Sequence, residues 1–269
     1  MMANQRYAFD NALSVQAERL CTLEAVFDEQ TIGQLEARSV QPGWRCLEIG
    51  AGGGSIASWL CNRVEPGGTV VATDLDTTHL GDLDHHNLDV QVHDVIHDKL
   101  PEAEFDLVHL RLVAAWLPKP RAAVERIVDA LKPGGWLLAE ELDFVSAVPG
   151  PCLDTQAEAL LGRIVVAHNA CLSSESSFDP FYGRRLAEDL SDAGLVDVGC
   201  AGHVSMWRGG QPGGRLWQLT LAQLRDGMIK TGEVTAAEID HAIELFGRDS
   251  VSLLSPVTMG AWGRRAEGL

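Results

Sequence analysis

The stretch Leu47-Glu48-Ile49-Gly50-Ala51-Gly52-Gly53-Gly54-Ser55 constrains this chain more than any other. A short apolar run from Trp44 to Ile49 enters it, and a helical pattern, Ile56-Ala57-Ser58-Trp59-Leu60, leaves it. Strand, glycine turn and helix in that order are how an open α/β sheet offers backbone N–H groups to a ligand beyond its strand ends. Glycine suits the turn because the backbone bends tightly there, and because a ligand must approach without meeting a Cβ. A strand–helix turn that binds nothing looks the same over so few residues, so the rest of the chain has to decide.

Two kinds of glycine loop compete. A dinucleotide fingerprint is G-x-G-x-x-G/A, and Gly50-x-Gly52-x-x-Ser55 misses its third glycine or alanine. What stands here instead is Glu48-x-Gly50-x-Gly52-x-Gly54, an acidic residue at the strand end followed by alternating glycines. After the turn Pro66-Gly67-Gly68, the run Thr69–Thr73 reads as a second strand ending in Asp74. That carboxylate lies close to the roughly 20-residue offset expected of an acidic group that takes ribose hydroxyls. Its two oxygens can accept from both the 2′- and 3′-OH.

A third strand, Leu88–His93, is followed by Asp94, placed to accept from an adenine amine. His93 and His97 flank it without a third clustered ligand, so no metal site is expected. Phe105–Arg111 reads as a fourth strand whose carboxyl end falls near Leu110, which brings His109 and Arg111 close to the expected ligand position. Pro118-Lys119-Pro120 then opens an amphipathic helix (Val124, Ile127, Val128, Leu131), Lys132-Pro133-Gly134-Gly135 closes it, and Trp136–Glu140 begins a fifth strand.

These segments come in the order and spacing of the class I S-adenosylmethionine (SAM)-dependent methyltransferases. GWRCLEIGAGGGSIASWL, VVATDLD, FDLVHLRLV, LKPGGWLL and a terminal AWGRR resemble the small-molecule enzymes akin to the ubiquinone/menaquinone-biosynthesis group. The likeness runs over nearly the whole chain and is tightest from Gln41 to Glu141. It implies a Rossmann-like, seven-stranded, mostly parallel α/β sheet with helices on both faces. In that frame Glu48, Gly50, Ala51 and Gly52 hold the methionine part of SAM, Asp74 the ribose, and Leu75 packs on the adenine. Asp94 and Val95 meet the adenine edge, and Leu110 and Arg111 lie beside the methionine end. Arg19, from an N-terminal flap, pairs with the carboxylate. Many relatives carry Asn or Ser where Arg111 stands.

The expected organisation is a helical flap (1–40), a SAM-binding core (41–141), an inserted lid over the substrate (142–182) and the C-terminal part of the core (183–269). In the flap, Leu13, Ala17, Leu20, Leu23 and Phe27 repeat at helical spacing, with Tyr7 and Arg19 as its candidate cofactor contacts. In the lid, Ala157, Leu160, Leu161, Ile164, Val165, His168 and Cys171 make a second helical face, and Phe178, Phe181 and Tyr182 are candidates for a pocket wall.

A net charge of −17 argues against a nucleic-acid partner, because phosphate binding relies on Lys and Arg. No apolar run reaches the roughly 18 residues of a membrane span, and the N-terminus lacks a signal-peptide core. The six cysteines never form a C-x-x-C pair and read as reduced thiols of a cytoplasmic protein, monomeric or homodimeric.

The expected activity is methyl transfer from SAM, leaving S-adenosylhomocysteine (SAH), to a small acceptor such as a secondary metabolite or a quinone-like hydroxyl. His109 and His168 are the candidate proton acceptors. The rival readings are a SAM-binding protein without methyl transfer and an NAD(P)-dependent oxidoreductase.

Overall fold

The computed structural model describes residue 9, residues 14–151 and residues 154–267. Tyr7, Leu13 and Cys152 lie outside them. In chain order the elements are α1 (Ser14–Ala37), β1 (Arg45–Ile49), α2 (Ser55–Arg63), β2 (Thr69–Asp74), β3 (Leu88–Val92), β4 (Phe105–Arg111), α3 (Pro120–Ala130) and β5 (Leu131–Asp143). There follow β6 (Val148–Pro149), α4 (Thr155–Glu175), α5 (Leu186–Asp192), β7 (Leu195–His203), β8 (Met206–Arg208), α6 (Pro212–Lys230), α7 (Ala236–Leu245), β9 (Ser252–Leu254) and β10 (Val257–Arg265).

The chain forms two compact units. One comprises Phe27–Leu142, Tyr182–Gly202 and Thr258–Leu269. It carries the seven-stranded sheet, in the order β3-β2-β1-β4-β5-β10-β7. The pairings of β1 with β2 and β4, of β2 with β3, and of β4 with β5 are parallel. This is the expected Rossmann-like sheet. The apolar strands β1, β2 and β4 are buried because helices must cover both faces of a parallel sheet. Under one face Cys46, Val70, Ala72 and Leu107 pack with Ile56, Leu60 and Cys61 of α2 and with Leu35 of α1. The Lys132–Gly135 turn, expected to precede the fifth strand, is already part of β5.

The other unit takes the described part of Met1–Val26 together with Asp143–Phe181 and His203–Val257. It contains α4, α6, α7 and a three-stranded sheet in the order β6-β9-β8. Asp154 caps α4 by accepting from the Ala157 amide at 2.7 Å, and Thr235 and Glu238 form a reciprocal capping box at α7. Residues 203–257, expected in the C-terminal part of the core, belong to this unit, and the stretch from Val251 to Trp262 is two strands instead of one.

Helix α1 corrects the sequence reading. Of the residues expected on its buried face, Ala17 is exposed. Within Ser14–Ala37 the buried stripe is Gln16, Arg19, Thr22, Phe27, Thr31 and Leu35, largely polar, so a search for apolar periodicity selects the neighbouring face.

Candidate functional site

The bend after β1 is built from three glycines in the left-handed region, Gly50 (φ 70°), Gly52 (φ 58°) and Gly54 (φ 89°). Only glycine takes up that conformation without the cost a Cβ adds. Gly50 and Ala51 both donate their amides to the Thr73 carbonyl, at 2.8 and 3.0 Å, and the Thr73 hydroxyl donates to the Glu48 carbonyl at 3.1 Å. The loop is therefore tied to the end of β2. Gly52 donates its amide to Asp74 Oδ2 at 2.9 Å, and Asp76 donates to Asp74 Oδ1 at 3.2 Å. Each Asp74 oxygen still has acceptor capacity. Next to it Leu75 is 62% exposed, a large apolar side chain left open beside a polar cradle.

The end of β3 is joined to the same place by the His93 amide, which donates to the Asp74 carbonyl at 2.9 Å. Asp94 accepts from the Ile96 amide at 2.8 Å and contacts His97 Nδ1 at 2.8 Å. Partial burial pushes its carboxyl up, but those partners outweigh it and hold Asp94 below its ordinary range. Val95 is buried. Glu48, Gly50, Ala51, Gly52, Asp74, Leu75, Asp94 and Val95 thus all fall on the β1, β2 and β3 ends of one sheet, consecutive in the strand order.

His109 is different from what its position suggests. It is wholly buried, with Nδ1 2.7 Å from Glu48 Oε2 and Nε2 3.2 Å from Glu140 Oε2. Burial favours the neutral ring, but the two carboxylates outweigh it and raise the histidine to about 9. The ring is protonated at neutral pH, with both nitrogens engaged, so His109 cannot take a proton from an acceptor. It is a cationic link between two buried acids.

The link continues. Burial raises Glu140, but its partners, His109 first, hold it below its ordinary range. Thr31 donates to Glu140 Oε2 at 2.6 Å, and Arg111 donates to Thr31 Oγ1 at 2.8 Å and to Asp28 Oδ1 at 2.9 Å. Through these bonds the Arg111 guanidinium, expected beside the methionine end, braces α1. The Leu110 side chain is 1% exposed and belongs to the core, opposite Ile49 in the β1–β4 pairing. Among the described residues Glu140 Oε1 is a buried atom without a hydrogen-bond partner.

Arg19 and His168 lie in the unit without the glycine loop. Arg19 Nε donates to Thr220 Oγ1 at 3.4 Å, and the guanidinium stands 3.6 Å over the Phe9 ring. His168 is 4% exposed, between the rings of Phe144 (5.2 Å) and Trp217 (5.1 Å). Its Nδ1 is 2.9 Å from Asn169 Oδ1, an oxygen that can only accept, so Nδ1 carries the proton and Nε2 keeps its lone pair. Burial, aided by the Arg19 charge and opposed by Asn169, lowers His168 to about 4. It is neutral at neutral pH. Of the pocket-wall candidates, Phe178 meets Phe144 edge-on at 6.3 Å and Tyr182 is buried, donating to Asp189 Oδ2 at 2.6 Å, whereas Phe181 is 39% exposed.

The sequence reading missed Glu140, Thr31 and Asp28. One signal was present: two adjacent glutamates inside the apolar strand Trp136-Leu137-Leu138-Ala139-Glu140-Glu141-Leu142. Acidic side chains within a buried strand require partners.

A parallel sheet with a glycine bend after β1 and a carboxylate hydrogen-bonded to it after β2 is the arrangement with which open α/β sheets hold nucleoside-type ligands beyond their strand ends. Comparison with known proteins makes this particular. The family profile described as "Methyltransferase domain" matches residues 47–139. "Methyltransferase str2" of Strobilurus tenacellus is 32% identical over 161 residues, covering 57% of this chain and 56% of that protein. A "Ubiquinone biosynthesis O-methyltransferase" of Paracidovorax citrulli is 29% identical, covering 49% of this chain and 58% of that protein. The chain spans about half the length of the curated relatives it matches. Among solved structures, Haemonchus contortus phosphoethanolamine N-methyltransferase 2 superposes with a TM-score of 0.55 at 16% identity, over 97% of this chain and 62% of that one. The match to the methyltransferase domain thus runs from β1 into β5 of the sheet.

Proposed function

We propose that this chain is a SAM-dependent methyltransferase that transfers a methyl group to a small-molecule acceptor, with oxygen the preferred atom. One observation carries the reading: the Gly52–Asp74 hydrogen bond, which makes the glycine bend and the carboxylate after β2 a single cradle. The donor set fits the cofactor. Glu48 Oε1 and the loop suit its amino-acid end, Asp74 its ribose diol, Leu75 the face of its adenine, and the Asp94–Val95 segment the adenine edge. The preference for oxygen is supported by relatives named as O-methyltransferases of ubiquinone biosynthesis and of nocamycin.

The bound sulfonium supplies a methyl carbon activated for displacement. The protein's own task is position. Holding donor and acceptor in line supplies up to about 7–11 kcal/mol in favourable systems, so no base is obligatory. Where a hydroxyl must lose its proton, His109, with both ring nitrogens engaged, does not supply the lone pair this needs. The acidic charge supports a small acceptor over nucleic acid, and no helix among the described residues is long and apolar enough to cross a membrane. A cytoplasmic monomer or homodimer fits these features.

Calorimetric titration with SAH and, separately, NADPH tests the cofactor, and labelled SAM with a panel of phenols and other hydroxyl compounds tests transfer. Heat with SAH, none with NADPH, and label in at least one acceptor are expected. Heat with NADPH alone refutes the reading. Tight SAH binding with no label in any acceptor favours a SAM-binding protein of another purpose.

A further inference from the structure

Strand β5 carries two successive buried glutamates near its end, and the second is not part of the link described above. Glu141 is 2% exposed. Its Oε1 accepts the Ala115 amide at 3.1 Å. The turn after β4 is therefore tied to strand β5 through a buried acceptor. Just before them Leu112 is held in the left-handed region (φ 58°), its amide donating to the Glu140 carbonyl at 2.9 Å. A leucine takes that conformation only where its surroundings impose it.

The turn touches the glycine bend. Val113 Cγ2 lies 2.3 Å from the point a Cβ on Gly50 would occupy, so the valine fills the hollow left by the missing side chain. All of these residues belong to the unit that carries the seven-stranded sheet. Burial raises the Glu141 carboxyl to about 8 against the pull of the amides, so at neutral pH its carbonyl oxygen is the acceptor.

We propose that Glu141 is a positioning residue for the cofactor cradle: by accepting the Ala115 amide it holds the turn that presses Val113 against Gly50 and so fixes the bend that meets the cofactor. The inference rests on reading that bend as the SAM site. Glutamine offers the same carbonyl acceptor, whereas leucine has similar bulk and none.

The test is calorimetric titration of SAH into the wild-type chain, Glu141→Gln, Glu141→Leu and Val113→Ala, with thermal melts alongside. Leu137→Ala, a fully buried position in the same strand, serves as a control for general destabilisation. Glu141→Gln is expected to keep the wild-type Kd within about threefold, and Glu141→Leu to weaken it about tenfold or more, as the Ala115 amide loses its buried acceptor. Val113→Ala weakens it severalfold, while Leu137→Ala lowers Tm and leaves Kd alone. A folded Glu141→Leu that binds like wild type, or a Glu141→Gln that loses as much as the leucine variant, overturns the inference. Should Glu141→Leu fail to fold, Val113→Ala decides, and an unchanged Kd there overturns it. Absence of heat with the wild-type chain defeats the cofactor reading itself, and the inference with it.

Discussion

The Gly52 amide points at Asp74 Oδ2 across 2.9 Å, so two groups separated by 22 positions in the chain form one hydrogen-bonded unit. The bond is possible because β1 and β2 are parallel neighbours, with Ile49 opposite Thr73. The loop leaving one strand and the carboxylate leaving the other then emerge side by side.

Asp74→Ala therefore removes two things together, the acceptor for a ribose diol and the anchor of the loop's second glycine. Hydrogen bonds to a charged group contribute about 1.5–3 kcal/mol, so SAH should bind roughly 10- to 150-fold more weakly. Calorimetry reads this directly, and an unchanged Kd would remove Asp74 from the site.

Gly50→Ala meets a double obstacle. The residue sits at φ 70°, and the new methyl would lie 2.3 Å from Val113 Cγ2. The left-handed conformation alone costs about 1–2 kcal/mol for an L-residue, before any repacking of the valine. A clear fall in Tm and weaker SAH binding are expected together. Gly67 is a contrasting position, also left-handed (φ 85°) but with nothing within 4 Å. Gly67→Ala should lose only the conformational share and leave Kd intact. Equal losses of Kd in both variants would contradict the packing argument.

The buried His109 predicts a pH signature. Its native pKa of about 9 stands above the ordinary 6.5, so the folded chain holds this proton more tightly than the unfolded one. The associated stability is fully present below about 6.5 and is lost as pH rises through about 9, a total on the order of a few kcal/mol. Urea unfolding of the wild-type chain and His109→Gln from pH 6 to 10 should show the wild-type advantage shrinking across that window. Glu141, also raised, loses stability with rising pH in both proteins and cancels in the difference. An advantage independent of pH would mean that the ring is not protonated.

The sheet was legible because strand, turn and helix signals are local. The glycine bend, Asp74 and Asp94 sit where those signals place them, since a parallel sheet brings the ends of successive strands together. Side-chain direction was not legible. His109 and Arg111 have the right position along β4, but whether a side chain faces a ligand or a buried acid depends on what the next strand presents. Here β5 presents Glu140, paired with Arg111 in the sheet register. Helix α1 escaped for a related reason: Thr31 and Arg19 are buried by polar partners far away in the chain, Glu140 and Thr220, which a periodicity of apolar residues does not register.

His168 makes the sharpest test of proton transfer. Burial lowers it to about 4, from an ordinary 6.5. Between these values the unfolded chain binds the proton and the native chain does not, so stability falls as pH drops from about 6.5 to about 4. Replacing the ring with glutamine removes that liability, and acid unfolding of His168→Gln should move to lower pH. If Nε2 also accepts a proton from the acceptor, kcat falls about 10²- to 10⁴-fold while SAH affinity is unchanged. The wild-type kcat then has no acid limb near 6.5, because the ring stays neutral well below that value. Circular dichroism recorded at each pH separates a true kinetic limb from unfolding. A variant with altered acid stability and full kcat would leave His168 as a buried packing residue and nothing more.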